Sequence, residues 1–290
     1  MKKVADVMEH VDLSAAPREA ARQAPEPTQW HDNPPVGWHR VAKWGAIQGG
    51  RIAIIVTLLG VWEFISGRMV DEFWISKPSA IWDVLWGQWI STGEIWGHMQ
   101  VTLIEMALGL LFGAIGGVAF GFVLGRVIWL SRLIDPLVTA VYSLPKVALA
   151  PLFILWFGVD LTSKVVLTAV VCFFLVFYNT YAGVRSVDAD LVDVVRVMGG
   201  KRSDLLLKVV LPNSATWIYT GLRLAVPYAL IGAVVGEIVA SNKGLGYLLA
   251  HAAGTFNTAA TFAALLILMV IGTLLNVMVD WSEKFTGRRQ

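Results

Sequence analysis

Five titratable side chains fall in or beside long apolar runs of this 290-residue sequence: Glu63, Glu105, Lys146, Arg223 and Glu237. Desolvating a charge in a bilayer is costly, so an ionisable group at such depth is a candidate for a solute path, a proton relay or a counter-ion. Carboxylates could pass protons, and a lysine could hold an anion. Lys146 stands near the middle of the apolar run 133–157, in SLPKVALAPLFILWFG, directly after Pro145. Two readings are open for it. It attracts an anionic solute on a translocation pathway, or it pairs with carbonyls freed by Pro145 or snorkels outward. Glu237, towards the far end of another apolar run, is the second pathway candidate.

The other reactive residues form no catalytic set. Cys172 is the sole cysteine and lies in an apolar run, so it forms no intrachain disulfide or cysteine metal cluster and reads as a small buried side chain. His10, His31 and His39 lack metal-ligand spacing. A phosphate-binding loop needs Gly, four residues, then Gly-Lys-Ser/Thr. The nearest match is Gly199-Gly200-Lys201, but Val195 occupies the first glycine position and Arg202 follows the lysine. Gly244-Leu245-Gly246 follows no strand, and neither His-Glu-x-x-His nor Gly-x-Ser-x-Gly occurs. No catalytic residue, metal site or cofactor is expected in this chain, and any ATP hydrolysis has to come from a partner.

The elements that must position Lys146 and Glu237 are membrane spans. With 56% hydrophobic and 15% charged residues, and a mean hydropathy of +0.64, the chain is far more apolar than a soluble domain. Its net charge of +2 leaves no footprint for nucleic acid, and 13 Trp and 13 Phe suit membrane interfaces. Six spans are expected at about 52–70, 101–124, 133–157, 164–183, 215–240 and 256–281. Between the first two, Pro78 followed by Ile81, Trp82, Leu85, Trp86 and Trp89 predicts a helix lying in the outer interface. In the second span Gly109, Gly113, Gly117, Gly121 and Gly125 recur every fourth residue, a smooth ridge for close helix approach. The third span is interrupted by Pro136, Pro145 and Pro151. The fold class expected is an all-α polytopic membrane protein. Residues 1–50 read as a flexible cytoplasmic arm, 51–98 as the first span with its external segment, 99–282 as the core, and 283–290 as a tail. Lysine and arginine number thirteen near one set of span ends and four near the other, which puts both termini in the cytoplasm.

The longest polar interruption of the apolar core, residues 187–212, carries its own helical punctuation. Asp188 is a candidate N-cap, and Leu191, Val194, Val195 and Met198 share one helical face. Gly199-Gly200 stops that helix. Ser203 is positioned to cap a second helix, which Pro212 is expected to end.

Asp193-Val194-Val195, then Gly199, then Val209-Val210-Leu211-Pro212, resembles the cytoplasmic Glu-Ala-Ala loop of ABC importer permeases, with Asp193 in place of the glutamate and valines in place of the alanines. PKVALAPLFILWFG and Gly244-Leu245-Gly246-Tyr247 are similar to segments of the same family, the former to its nitrate/sulfonate/taurine branch. The resemblance implies a type I importer permease fold in a bacterial inner membrane. It also implies a coupling loop (184–213) seated in a groove on separate ATPase subunits that bind ATP and magnesium, a second permease copy in a homodimer, and an external substrate-binding protein. Leu191, Asp193, Val194, Val195, Met198, Gly199 and Pro212 are then the ATPase-docking residues, and the solute is small and anionic. The alternative is an ion-coupled secondary transporter acting without an ATPase. Against it, Glu63, Glu105 and Glu237 lie towards the outer side and no internal repeat is visible.

Overall fold

The computed structural model describes residues 38–285, and within them every regular element is a helix; the one bridge joins Ser66 and Val70. We number the α-helices in chain order: α1 Trp38–Ile65, α2 Glu72–Ile75, α3 Pro78–Trp82, α4 Glu94–Arg126, α5 Ile128–Ser143 and α6 Ala150–Phe157. There follow α7 Leu161–Arg185, α8 Ala189–Val197, α9 Arg202–Leu205, α10 Leu211–Val239, α11 Leu245–Gly254 and α12 Thr258–Phe285. The chain divides after Leu58 into an N-terminal unit, which supplies the first part of α1, and a compact unit from Leu59 onward.

Five helical stretches are long and apolar enough to cross a bilayer: Ile47–Ile65, Glu94–Arg126, Leu161–Arg185, Arg202–Val239 and Thr258–Trp281. The expected third span differs. It is a broken pair, Trp129–Ser143 and Lys146–Phe157, bent by 82°. Pro145 has no N–H to continue α5, and the chain passes through one 3-10 turn, Lys146–Leu149, before α6 starts. Of the arm assigned to 1–50, residues 1–37 with His10 and His31 lie outside the described residues, and from Trp38 the chain is helical. The tail from 286 also lies outside them. The helix expected from Pro78 to Trp89 is present as α3 running directly into a π-helical stretch, Asp83–Ile90, with Ile81 and Trp89 buried and Trp82 and Trp86 exposed; α2 precedes it.

The core of the compact unit is a stack of three long helices with α7 in the middle. On one side lies α4, whose Gly109, Gly113, Gly117, Gly121 and Gly125 are all buried. A Cβ on Gly113 would stand 2.5 Å from the Ala169 carbonyl oxygen, and one on Gly117 2.8 Å from that of Phe173, so backbone meets backbone along the seam. On the other side α10 approaches through Gly221, Gly232 and Gly236, facing Val176, Thr168 and Lys164. Water gives no hydrophobic drive between helices in lipid, so such close packing supplies the attraction. Cys172 is fully buried between them, its thiol 3.7 Å from the Ala225 carbonyl.

Candidate functional site

Residues 184–213 leave the bundle as a hairpin between α7 and α10. Asp188 caps α8 by accepting from the Asp190 N–H at 2.9 Å. The helix ends because Gly199 adopts φ +73°, a left-handed conformation in which a side chain is strained, while the Gly200 N–H donates to the Val195 carbonyl at 2.9 Å. Gly200 is required for a different reason: a Cβ there would meet Val195 Cγ1 at 2.6 Å. The base of the hairpin is tied by Asn213, whose side-chain amide donates to Gly183 O at 3.0 Å and Ser186 Oγ at 3.1 Å.

The second half of the hairpin departs from expectation. The N-cap of α9 is Lys201, whose N–H donates to Asp204 Oδ2 at 2.9 Å, and not Ser203. Pro212 does not end the run. It sits in the first turn of α10, and a π-helical turn, Leu206–Val210, precedes it and joins α9 and α10 into one stretch, Arg202–Val239. The proline lacks the N–H that Lys208 O would accept in a regular helix, and the wider turn absorbs the mismatch.

Of the apolar residues assigned to one docking face, Leu191 and Val194 are each 53% exposed and Met198 81%, whereas Val195 turns inward against Gly200. Val197, absent from the periodic stripe, is 89% exposed. The chain reverses at Gly199 and brings Gly200 back against Val195, which covers it while Met198 stays open. Asp193 forms an exposed pair with Arg196 at 3.1 Å, a contact worth at most about 1 kcal/mol in water.

Lys146 lies at the 82° break. Its ammonium donates to Tyr142 O at 2.6 Å and rests 4.1 Å from the Tyr142 ring centroid and 5.0 Å from that of Phe174. Tyr142 O is free because α5 stops at Ser143. One of three N–H donors is therefore used, and the side chain keeps partial exposure.

Glu237, the second pathway candidate, is closed off from solvent. It is 1% exposed, and both oxygens serve a turn: Thr102 Oγ1 donates to Oε1 at 2.6 Å and the Gly246 N–H to Oε2 at 2.5 Å. Thr102 Oγ1 in turn accepts the Leu245 N–H at 2.9 Å, and His98 Nδ1 accepts that of Gly244 at 3.0 Å. The carboxylate thus holds the first amides of α11, where a negative charge suits the helix dipole. The Gly244-Leu245-Gly246 turn is the partner of Glu237, and Thr102 and His98 carry no sequence signal of that role. Glu105, 1% exposed, faces Glu237 with one oxygen unpartnered, and Lys164, 4% exposed, lies beside the pair while donating to Val159 O at 2.5 Å. Glu63 accepts from Ser79 Oγ and N at 2.7 and 3.1 Å, and Arg223 pairs with Asp280 at 2.6 Å. Four of the five titratable candidates therefore brace helices or turns, or lie closed away against such a brace. Among the described residues no group of three or more His, Cys, Asp or Glu could hold a metal.

Residues 109–288 match the family described as binding-protein-dependent transport system inner membrane component. A Bacillus subtilis permease named for aliphatic sulfonates transport is 33% identical over 242 residues, covering 83% of this chain and 87% of that one. The riboflavin transport system permease protein of Chloroflexus aurantiacus is 33% identical over 249 residues, 85% and 91% of the two chains. Among solved structures, the inward-facing MetNI methionine ABC transporter superposes with a TM-score of 0.59 at 18% identity, over 69% of this chain and 98% of that one, a likeness of fold.

Proposed function

The chain belongs to the family of binding-protein-dependent transport inner membrane components, as an ABC importer permease, and from that premise we propose that its 184–213 hairpin is the cytoplasmic seat of a separate ATPase. The observation that carries this reading is the exposed row of Leu191, Val194, Val197 and Met198 along a capped helix and its C-cap. Such a face, held out on a hairpin tied at its base, suits a groove on a partner. The partner binds ATP and magnesium, which this chain has no loop to hold. Its closure swings the hairpins of two permease copies and rocks the spans between inward- and outward-open states. An external binding protein delivers the solute, and both termini face the cytoplasm. The test is co-purification of the full chain with its ATPase in mild detergent. Val197→Asp or Met198→Asp is expected to lower ATPase retention at least about tenfold, since burying an unpaired charge at an interface costs more than 1.4 kcal/mol. Retention unchanged in both variants would overturn the docking assignment.

The relative named for aliphatic sulfonates transport and the cation at the broken span support a small anionic solute. Lys146 keeps free donors at a helix break, the kind of interruption that in transporters lines a cavity. Lys146→Met is expected to cut uptake of an alkanesulfonate at least about tenfold, because a charge-assisted hydrogen bond contributes roughly 1.5–3 kcal/mol. Uptake is measured in vesicles containing the assembled transporter. Full uptake by that variant, with the complex intact, assigns Lys146 to bracing the break alone.

A further inference from the structure

Between the inner face of the hairpin and the bundle lies a cavity of about 790 Å³ whose charged lining is entirely basic: Arg126, Arg185, Arg196, Lys201 and Arg202. Three span ends converge there. Arg126 closes α4, Arg185 closes α7, and Lys201 and Arg202 open the run into α10. Two of these five cations have a carboxylate beside them, Arg196 directly and Arg185 through Ser131 and Tyr181. Asp193 pairs with Arg196, Asp204 with Lys208 at 2.8 Å, and Asp135 accepts from Tyr181 and Ser131. Arg185 spends two donor contacts on Ser131 and Tyr181, at 3.0 and 2.6 Å, which fixes its guanidinium. Arg126, Lys201 and Arg202 make no ion pair among the described residues. The floor is apolar, from Val192, Val195 and Val210. Like charges gathered around one cavity repel, and a bound anion relieves that repulsion.

We infer that this cavity is a binding site for a phosphate-bearing anion, seated beneath the coupling hairpin on the face opposite Val197 and Met198. Two features favour a phospholipid headgroup as its source. The convergence of span ends sets the cavity at headgroup level, where basic pockets take anionic lipids. Along the same helices α4 and α7 runs an apolar groove of about 350 Å³ lined by Leu124, Ile134, Val138, Phe173 and Phe177, a lining that suits an acyl chain. Phe173, Phe177 and Tyr181 stack in sequence, with centroids 5.6 and 5.9 Å apart, and lead from the groove to Arg185. An occupied site would brace the hairpin from within, so lipid and ATPase would hold opposite faces of α8. The inference rests on the cytoplasmic placement of the hairpin and does not require that the ATPase bind it.

The test uses the full chain in nanodiscs containing equal amounts of phosphatidylglycerol and phosphatidylcholine with identical acyl chains, and native mass spectrometry of the lipid retained on release. Wild type is expected to retain phosphatidylglycerol at least about tenfold over phosphatidylcholine, with roughly a fivefold loss for each cation removed in Arg126→Gln, Lys201→Gln and Arg202→Gln. Lys243→Gln, a basic residue outside the cavity, serves as the control and is expected to change nothing. Melting temperatures in phosphatidylcholine alone verify that the variants fold. Inorganic phosphate alone, added to the same discs, separates the sources. If it displaces phosphatidylglycerol and raises the melting temperature of wild type but not of Arg126→Gln, the site takes soluble phosphate. If it does neither while the lipid preference stands, the ligand is the lipid. Equal retention of both lipids with no effect of phosphate overturns the site, as does a preference that survives all three substitutions. ATPase retention in the same preparations is scored separately, so failure of docking and failure of this site are distinguishable.

Discussion

A leucine in place of Gly113 is expected to leave almost no folded protein in the membrane, and even alanine there to lower the melting temperature clearly. The cause is backbone proximity. The first atom of any side chain at Gly113 meets the Ala169 carbonyl oxygen at 2.5 Å, Cys172 Cβ at 2.8 Å and the Phe173 nitrogen at 3.0 Å. Two of those three atoms belong to the main chain of α7 and cannot rotate away. Relief requires the two longest-packed helices to separate, which opens the seam from Gly109 to Gly125 at once. Overpacking of this kind costs about 1–3 kcal/mol for one methyl and more for a larger side chain. Gly97→Ala, in the same helix with nothing within 4 Å, is the control and is expected to be neutral or slightly stabilising through helix propensity. Thermal melting followed by size-exclusion chromatography in detergent compares them. Equal melting of Gly113→Ala and Gly97→Ala would show that α4 and α7 do not meet as described.

The second large effect falls on Glu237. Removing its carboxylate with Glu237→Ala strands the buried Gly246 N–H, leaves the Thr102 hydroxyl only the His98 carbonyl at 3.2 Å to donate to, and frees the turn that launches α11. A buried donor left without a partner costs about 1–3 kcal/mol, and the lost Thr102 contact adds about 1 kcal/mol, so the change is expected to cost roughly 2–4 kcal/mol. Glu237→Gln keeps one acceptor but sets an amide donor against other donors, and it is expected to fall between alanine and wild type. Thr102→Val combined with Glu237→Ala should cost less than the sum of the single changes, because both belong to one network. Melting temperatures of the four proteins check this. Additive losses would mean that Thr102 and Glu237 act independently; normal stability with lost uptake in Glu237→Ala would return the residue to a transport role.

These two expectations also separate what the sequence carries from what packing decides. A four-residue glycine period is written in the chain and defines a ridge, since the helical repeat brings every fourth residue to nearly one face. Its partner is not written there, because the facing residues of α7 lie nearly sixty positions away, as Thr168 does from Gly109 and Val184 from Gly125, and show no complementary glycine pattern on that side. The second glycine face, on α10, went unread for a related reason: Gly221, Gly232 and Gly236 are spaced too unevenly to form a period. Span positions and the hairpin were legible because hydropathy and capping act over short stretches of chain. The break at Pro145 was marked by residue type, while its 82° angle depends on what lies around it.

Charge was the least legible property. Glu237 and Lys146 look alike in sequence, each an ionisable group within an apolar run. Tertiary structure parts them, closing Glu237 under a turn formed by residues 244–246 and leaving Lys146 partly open at a helix break. On the hairpin, periodicity nominates Val195 and passes over Val197, since it counts faces of one helix and not the Gly199-Gly200 reversal that folds back against Val195. The amino-acid sequence by itself determined the class of protein, its spans and its projecting loop, all local consequences of residue type and spacing. Only the tertiary structure decided which charges brace the fold, which remain open and which five cations share one cavity, because an electrostatic role depends on neighbours brought together from distant parts of the chain.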